Sequence, residues 1–120
     1  MQIERDSVWQ HYKSKDSLYL VLGVSVSSRE PVSRLTYFGK EESTGEDIAI
    51  YDTVKSNIKL YKAKFRKDGD FRILNVIKEP YVVYTALHEN GTVWCRKLTD
   101  FTSVTDTGVL RFTLIRNVEQ

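Results

Sequence analysis

Three side chains between residues 84 and 96 could form a stacking site for an anionic ligand. Trp94 and Arg96 alternate on one predicted strand and so share a face, and Tyr84 lies on the strand before it. A guanidinium group binds phosphate or carboxylate in a bidentate manner, and aromatic rings offer walls on which a flat ligand stacks. The alternative interpretation is an inward-facing Trp with an arginine satisfied at the rim of the fold.

A second group of side chains with useful chemistry begins at His11, which is followed by Tyr12 and Lys13. An imidazole, a phenol and an ammonium ion combine several hydrogen-bond donors with an aromatic surface. These residues either contribute to a ligand site or pack as a lid over one end of a barrel. The candidate ligand-binding residues are therefore His11, Tyr12, Tyr84, Trp94 and Arg96.

A basic segment is the strongest charge feature of the chain. Six of the eighteen Lys and Arg residues fall within residues 55–67, which contain no acidic residue. Such a row can follow a phosphate backbone, and it can equally protect an edge strand from pairing with a second chain. The formal net charge of +2 does not by itself imply an anionic partner. The candidate contacts to phosphate or nucleic acid are Lys59, Lys62, Lys64 and Arg66.

No catalytic residue is predicted. Cys95 and His88 are the one conceivable pair of thiol and base, but Cys95 alternates with its neighbours on a predicted strand and is better interpreted as a buried small hydrophobe. One cysteine and two histidines cannot form a zinc site from Cys and His alone. The protein is therefore interpreted as non-enzymatic, with no metal and no cofactor.

The elements that must position these residues are predicted to be strands. Short runs rich in Val, Ile, Leu, Tyr and Phe are separated by Gly, Asp, Asn, Ser and Pro. Two runs, LYLVLGV and YVVYTAL, are apolar on both faces and should be covered on both sides or form a subunit contact. Helix is expected to be scarce, with short turns near residues 46–57 and 98–104. The eight predicted strands are residues 18–26, 34–38, 48–51, 58–66, 71–77, 81–87, 92–98 and 109–116.

An internal repeat suggests a division of the chain. The segment KDSLYLVLGV at residues 15–24 aligns with KDGDFRILNV at residues 67–76, and a Glu-Pro pair follows each of them. The repeat predicts two β units, residues 1–57 and 58–120, packed as one globular protein. Limited turn chemistry could produce the same likeness between two unrelated hairpins.

Residues 9–30 and 79–101 resemble the bacterial and phage domain-of-unknown-function family 1653. The resemblance covers about 45 of the 120 residues, and residues 31–78 separate two halves that the family joins by a short turn, either as an insertion or as part of a duplicated barrel. It implies a mainly β protein with a small SH3-like barrel, as one unit or two, and it brings no activity. The shared positions are His11, Tyr12, Lys13, Tyr19, Val21, Leu22, Gly23, Val24, Val82, Val83, Tyr84, Ala86, Leu87, Trp94, Arg96, Leu98 and Phe101.

These observations predict a non-catalytic binding module that captures a nucleotide, another phosphate-bearing small molecule or a short nucleic-acid segment. The alternative is a protein-interaction or homo-oligomerisation domain of a bacterial or phage protein. Fourteen aromatic residues, seven of them Tyr, exceed what one small core needs. With one cysteine, no signal peptide and no apolar run of about 20 residues, we expect a cytoplasmic homo-oligomer without a membrane partner.

Overall fold

The computed structural model describes residues 2–27, 29–88 and 91–117, which form a mainly β structure. All eight predicted strands are present, and the first strand is one that the sequence analysis did not predict. The elements are β1 (Val8–His11), β2 (Leu18–Val24), β3 (Val32–Glu41), β4 (Asp47–Thr53), β5 (Ile58–Phe65), β6 (Phe71–Val76), β7 (Tyr81–Ala86), β8 (Val93–Lys97), α1 (Leu98–Phe101) and β9 (Phe112–Arg116).

The helical turn predicted near residues 46–57 is wrong, because β4 occupies this segment. Ile48, Tyr51 and Val54 have helical spacing, but Val54 is exposed. Ile48 and Ile50 alternate instead, and both are buried in one core. The second predicted helical turn, near residues 98–104, is confirmed by α1. No helix in the part of the chain that the structure describes is long and apolar enough to span a membrane.

The nine strands form one sheet in the order β6-β5-β4-β3-β8-β7-β2-β1-β9. Neighbouring strands are antiparallel except β3 and β8, which run parallel where Gly39 lies opposite Val93. The predicted SH3-like barrel is not confirmed, because the sheet is open, with β6 and β9 at its edges. The sheet curls so that the end of β2 approaches the start of β5. There the Val26 N–H donates to the Ile58 carbonyl at 2.8 Å, beside an isolated bridge between Ser25 and Ile58, and the sheet does not close.

Each face of the curled sheet has its own hydrophobic core. The inner core, inside the curl, consists of Ile48, Ile50, Ile58, Leu60, Ile77, Tyr81, Val83, Val93 and Cys95. The outer core consists of Trp9, Val21, Val82, Tyr84, Phe101 and Phe112. Strands β2, β7 and β8 separate the two cores. The prediction that the doubly apolar runs are covered on both sides is confirmed for β7, which is buried on both faces. Strand β2 contributes Val21 to the outer core and the half-buried Leu22 to the inner core.

The outer core is closed by the segment that follows β8. The Phe101 ring of α1 stacks on the Phe112 ring of β9 with centroids 4.1 Å apart, and its centroid lies 5.3 Å from that of Trp9. The Trp9 indole N–H donates to the Ser7 hydroxyl at 2.8 Å, which satisfies its buried donor. This packing brings β1 and β9 over the end of the sheet that carries Arg96.

The predicted division into residues 1–57 and 58–120 falls between β4 and β5. These two strands pair directly with each other, and β3 and β2 lie next to β8 and β7. The two repeat segments contain β2, which has a neighbour on each side, and β6, which is an edge strand. The duplication itself stays a prediction.

Candidate functional site

Four of the five predicted ligand-binding residues, His11, Tyr12, Tyr84 and Arg96, line one cleft of about 290 Å³. We call it the aromatic cleft. Two groups of residues that are far apart in the sequence meet there, because the α1 to β9 segment packs β1 onto the outer face of β7 and β8. The other lining residues are Lys13, Ser17, Tyr19, Glu42, Arg111 and Phe112.

Trp94, the fifth predicted residue, does not line the aromatic cleft. It lies opposite Tyr84 in the pairing of β7 with β8, and it is partly buried against the outer core. Arg96 is two residues further along the strand, opposite Val82. The prediction that Trp94 and Arg96 share one face of the strand is confirmed, but only Arg96 of the two lines the cleft.

Aromatic rings pack against one another around the cleft, and all but the tilted pair of His11 and Tyr12 meet edge to face. The Tyr19 ring centroid lies 5.4 Å from that of Tyr84 and 5.7 Å from that of Phe112. The His11 ring lies 5.0 Å from Phe112 and 4.7 Å from Tyr12. Such contacts fix ring orientations, so the walls are largely preformed.

Arg96 is the most buried charge of the aromatic cleft, with its side chain 11% exposed. Its guanidinium group forms ion pairs with Glu42 and, at 3.1 Å, with Asp100, and it lies 5.1 Å from the centroid of the Phe112 ring. Burial lowers the pKa of Arg96, and the charge of Asp100 opposes this effect. Its Nε atom is buried and has no hydrogen-bond partner among the described residues. Arg96 therefore connects Glu42, Asp100 and Phe112 at the base of the cleft.

His11 is the titratable group at the mouth of the cleft. Its Nδ1 accepts a hydrogen bond from the Lys13 backbone N–H at 3.3 Å, so the neutral ring carries its proton on Nε2. Burial lowers the pKa of His11 first, and the charges of Arg96, Lys13 and Arg111 lower it further. The imidazole is therefore a neutral donor near pH 7, in a positive potential.

The cleft carries more positive than negative charge. Lys13, Arg96 and Arg111 are opposed by two carboxylates, Glu42 and Asp100. Arg111 also donates from Nε to the Ser103 hydroxyl at 2.9 Å and remains one-third exposed. The Tyr84 hydroxyl donates to Glu42 at 3.1 Å, and burial raises the pKa of Tyr84, so the phenol stays protonated. The arrangement suits an anion attached to a flat ring.

Cys95 and His88 lie on different sides of the sheet. Cys95 belongs to the inner core, and burial raises the pKa of its thiol to about 12. His88 is exposed and its ring lies 5.7 Å from Tyr19, on the outer side. The thiol therefore lacks the nearby base and positive charge that would activate it. Within residues 2–27, 29–88 and 91–117, no three His, Cys, Asp or Glu side chains group as metal ligands.

The predicted phosphate contacts lie on β5 and just beyond it, away from the aromatic cleft. Strand β5 pairs with β6 along its C-terminal part and with β4 as far as Lys62. The interpretation as protection for an edge strand is therefore wrong for Lys59 and Lys62, whereas Lys64 lies beyond the pairing with β4. Strand alternation places Lys62 and Lys64 on one face and Lys59 on the other, and Arg66 follows the end of the strand. Lys59 donates to the Glu30 carbonyl at 3.3 Å, and Lys62 lies 3.7 Å from Glu46.

Comparison of the chain with known protein families, with curated proteins and with solved structures gives no match. The resemblance to domain-of-unknown-function family 1653 therefore stays a prediction. The case for a function depends on the two positively charged surfaces, the aromatic cleft and the β5–β6 hairpin.

Proposed function

We propose that this protein is a non-catalytic binding module whose aromatic cleft captures a nucleotide or another phosphate-bearing small molecule. The observation that carries the proposal is the meeting of three cations and five rings on one concave surface. The cations are Lys13, Arg96 and Arg111, and the rings are His11, Tyr12, Tyr19, Tyr84 and Phe112.

The donors of the cleft match a phosphate group. The Lys13 ammonium, the His11 Nε2–H and the exposed part of the Arg111 guanidinium can donate to phosphate oxygens, and hydrogen bonds to charged groups are the stronger kind. A volume of about 290 Å³ is near the lower limit of about 300 Å³ for ligand pockets. This size favours a mononucleotide or a sugar phosphate over a dinucleotide.

Titration calorimetry of the full chain with three probes tests the proposal. We expect adenosine monophosphate to bind more tightly than either inorganic phosphate or adenosine, because it uses both the cations and the rings. Absence of binding for all three at protein concentrations of about 100 μM would overturn the proposal.

Two charge variants assign the binding to the cleft. Arg111→Gln and Lys13→Gln should each weaken binding of the monophosphate about tenfold, since each removes a charged donor. Lys15→Gln is the matched control, because Lys15 is two residues from Lys13 but does not line the cleft. Equal weakening by the control would contradict a local role. Arg96 is a poor first variant, because its loss leaves Glu42 and Asp100 without their partner.

The alternative function, homo-oligomerisation, is supported by the free edge at β9. Leu114 and Ile115 are 37% and 48% exposed on this edge strand, and Val109 and Leu110 before it are exposed as well. An exposed apolar edge strand is a template for pairing with another chain. Light scattering tests this alternative. A dimer that the Ile115→Lys substitution dissociates would support homo-oligomerisation, and a monomer at high protein concentration would contradict it.

A further inference from the structure

The hairpin formed by β5 and β6 carries the excess positive charge of the chain. Residues 58–78 contain seven Lys or Arg and two Asp, whereas the rest of the chain contains eleven Lys or Arg and fourteen Asp or Glu. We call residues 58–78, which are the hairpin and the two residues after it, the hairpin segment; its charge is +5 and that of the remainder is −3. A dipolar distribution of this kind orients an anionic partner toward the hairpin.

The end of this hairpin is a two-stranded ribbon with one apolar face. Strand β5 pairs with β4 as far as Lys62, which lies opposite Ile48, and the residues beyond it pair with β6. Phe65 lies opposite Phe71, and both rings contact Phe38 of β3, with centroids 4.9 and 4.8 Å from it. These contacts hold the apolar face of the ribbon against the sheet.

The opposite face of the ribbon places two like charges directly across from each other. Lys64 of β5 is the register partner of Arg72 of β6, and both side chains are exposed. Neither side chain forms an ion pair or a hydrogen bond with another residue that the structure describes. Like charges directly opposite in a sheet are destabilising. Folding alone therefore does not favour this pair, whereas a bound polyanion would stabilise it.

The turn at the tip of the ribbon adds two more exposed cations, Arg66 and Lys67. The acidic side chains beside them hold the turn itself. Asp68 Oδ1 accepts the Asp70 N–H at 3.0 Å, and Asp70 Oδ1 accepts the Phe71 N–H at 2.8 Å. Among the residues that the structure describes, neither Arg66 nor Lys67 forms an ion pair with a carboxylate.

We propose that this ribbon binds the phosphate backbone of nucleic acid and lies in the major groove of a duplex. Lys64, Arg66, Lys67 and Arg72 supply the phosphate contacts. A two-stranded β-ribbon fits the major groove of B-form DNA, which is about 12 Å wide. Pairing of two ribbons from two copies of the chain is unfavourable, because each hairpin segment carries +5. The ribbon is a separate site from the aromatic cleft, and its role is independent of the ligand proposed there.

Fluorescence anisotropy with the full chain and a labelled DNA duplex of about 20 base pairs tests the ribbon. We expect the logarithm of the association constant to fall linearly with the logarithm of the salt concentration between about 50 and 200 mM. Lys64→Gln combined with Arg72→Gln should weaken binding at low salt at least about tenfold and reduce the salt slope by about two. The double variant should keep or raise the melting temperature, since it removes a repulsive pair.

The matched control combines Lys15→Gln with Lys55→Gln, two exposed lysines away from the ribbon tip. The same loss of charge at these positions should leave the salt slope unchanged. Equal effects of the two double variants would overturn the proposal, as would absence of duplex binding at low salt. Tighter binding of single-stranded DNA of equal length would contradict the placement of the ribbon in the major groove. Lys13→Gln should leave duplex binding intact, which separates this site from the aromatic cleft.

Discussion

Arg96 fits both interpretations that its sequence context allowed. Its guanidinium is satisfied by Glu42 and Asp100, as expected of an arginine at the rim of a fold, and it also lines the aromatic cleft. Strand alternation identified the face of β8 on which it lies. The partner Glu42 follows β3, and the pairing of β3 with β8 leaves no local signal, so sequence reasoning missed it. Arg111 was missed for the same reason, because a fold-back through α1 brings it to the cleft.

At the residue scale, His11 makes stability depend on pH. Its pKa in the folded protein is lowered from 6.5 by burial and by the charges of Arg96, Lys13 and Arg111. The unfolded chain therefore takes up a proton near pH 6.5 that the folded protein takes up only at lower pH. The stability that neutral His11 contributes is complete above pH 6.5 and is lost as pH falls through the lowered pKa.

Urea unfolding of the wild type and of His11→Gln, measured from above pH 6.5 to about pH 5, checks this sign. We expect the free energy of unfolding to fall more steeply with decreasing pH in the wild type than in the variant. His88 is present in both proteins and cancels in the comparison. Identical pH slopes would contradict a lowered pKa for His11.

At the element scale, period-two apolar patterns identified the strands, and ambiguous spacing produced the one wrong element. Ile48, Tyr51 and Val54 satisfy a helical period while Ile48 and Ile50 satisfy a strand period, and the pairing of β4 with β3 and β5 decides between them. The order of strands in the sheet has no such local signal. The parallel contact of β3 with β8 and the open edges therefore required the structure.

Gly39 is essential to that parallel contact. A Cβ atom there would lie 2.7 Å from the Val93 carbonyl oxygen and 3.2 Å from Ile50 Cδ1. Because the nearer atom belongs to the backbone of β8, it cannot move without opening the pairing. We expect Gly39→Ala to lower the free energy of unfolding by about 1–3 kcal/mol, measured by urea denaturation.

A second substitution identifies the cause of this loss. Ile50→Val removes the Cδ1 atom and so relieves only the more distant contact. It should not restore stability to Gly39→Ala if the Val93 carbonyl is responsible. Full recovery in the double variant, or a neutral Gly39→Ala, would show that β3 and β8 are less closely joined than the structure indicates.

At the scale of the whole molecule, composition predicts the fold class correctly but does not show how the charge is distributed. The mainly β class follows from the residue types, and a net charge of +2 conceals a hairpin segment at +5 against a remainder at −3. Spacing located the basic run on β5. Arg72 was missed because β6 contains no other basic residue and so shows no basic run. Its importance comes from lying opposite Lys64.

The two cores share β2, β7 and β8, so they should unfold as one unit. Val82 and Val83 are both fully buried neighbours on β7, yet Val82 belongs to the outer core and Val83 to the inner core. Val82→Ala and Val83→Ala should each lower the free energy of unfolding by about 1–3 kcal/mol. In both variants, tryptophan fluorescence and far-ultraviolet circular dichroism should give coincident urea transitions.

Trp9 makes this test sensitive to the outer core, since its ring is buried there against Phe101. If the outer core could unfold alone, Val82→Ala would move the fluorescence transition to lower urea than the dichroism transition, and Val83→Ala would not. Coincident transitions in both variants would mean that a strand packed on both faces cannot lose one core and keep the other. The aromatic cleft, which is built on the outer core, would then persist for as long as the sheet does.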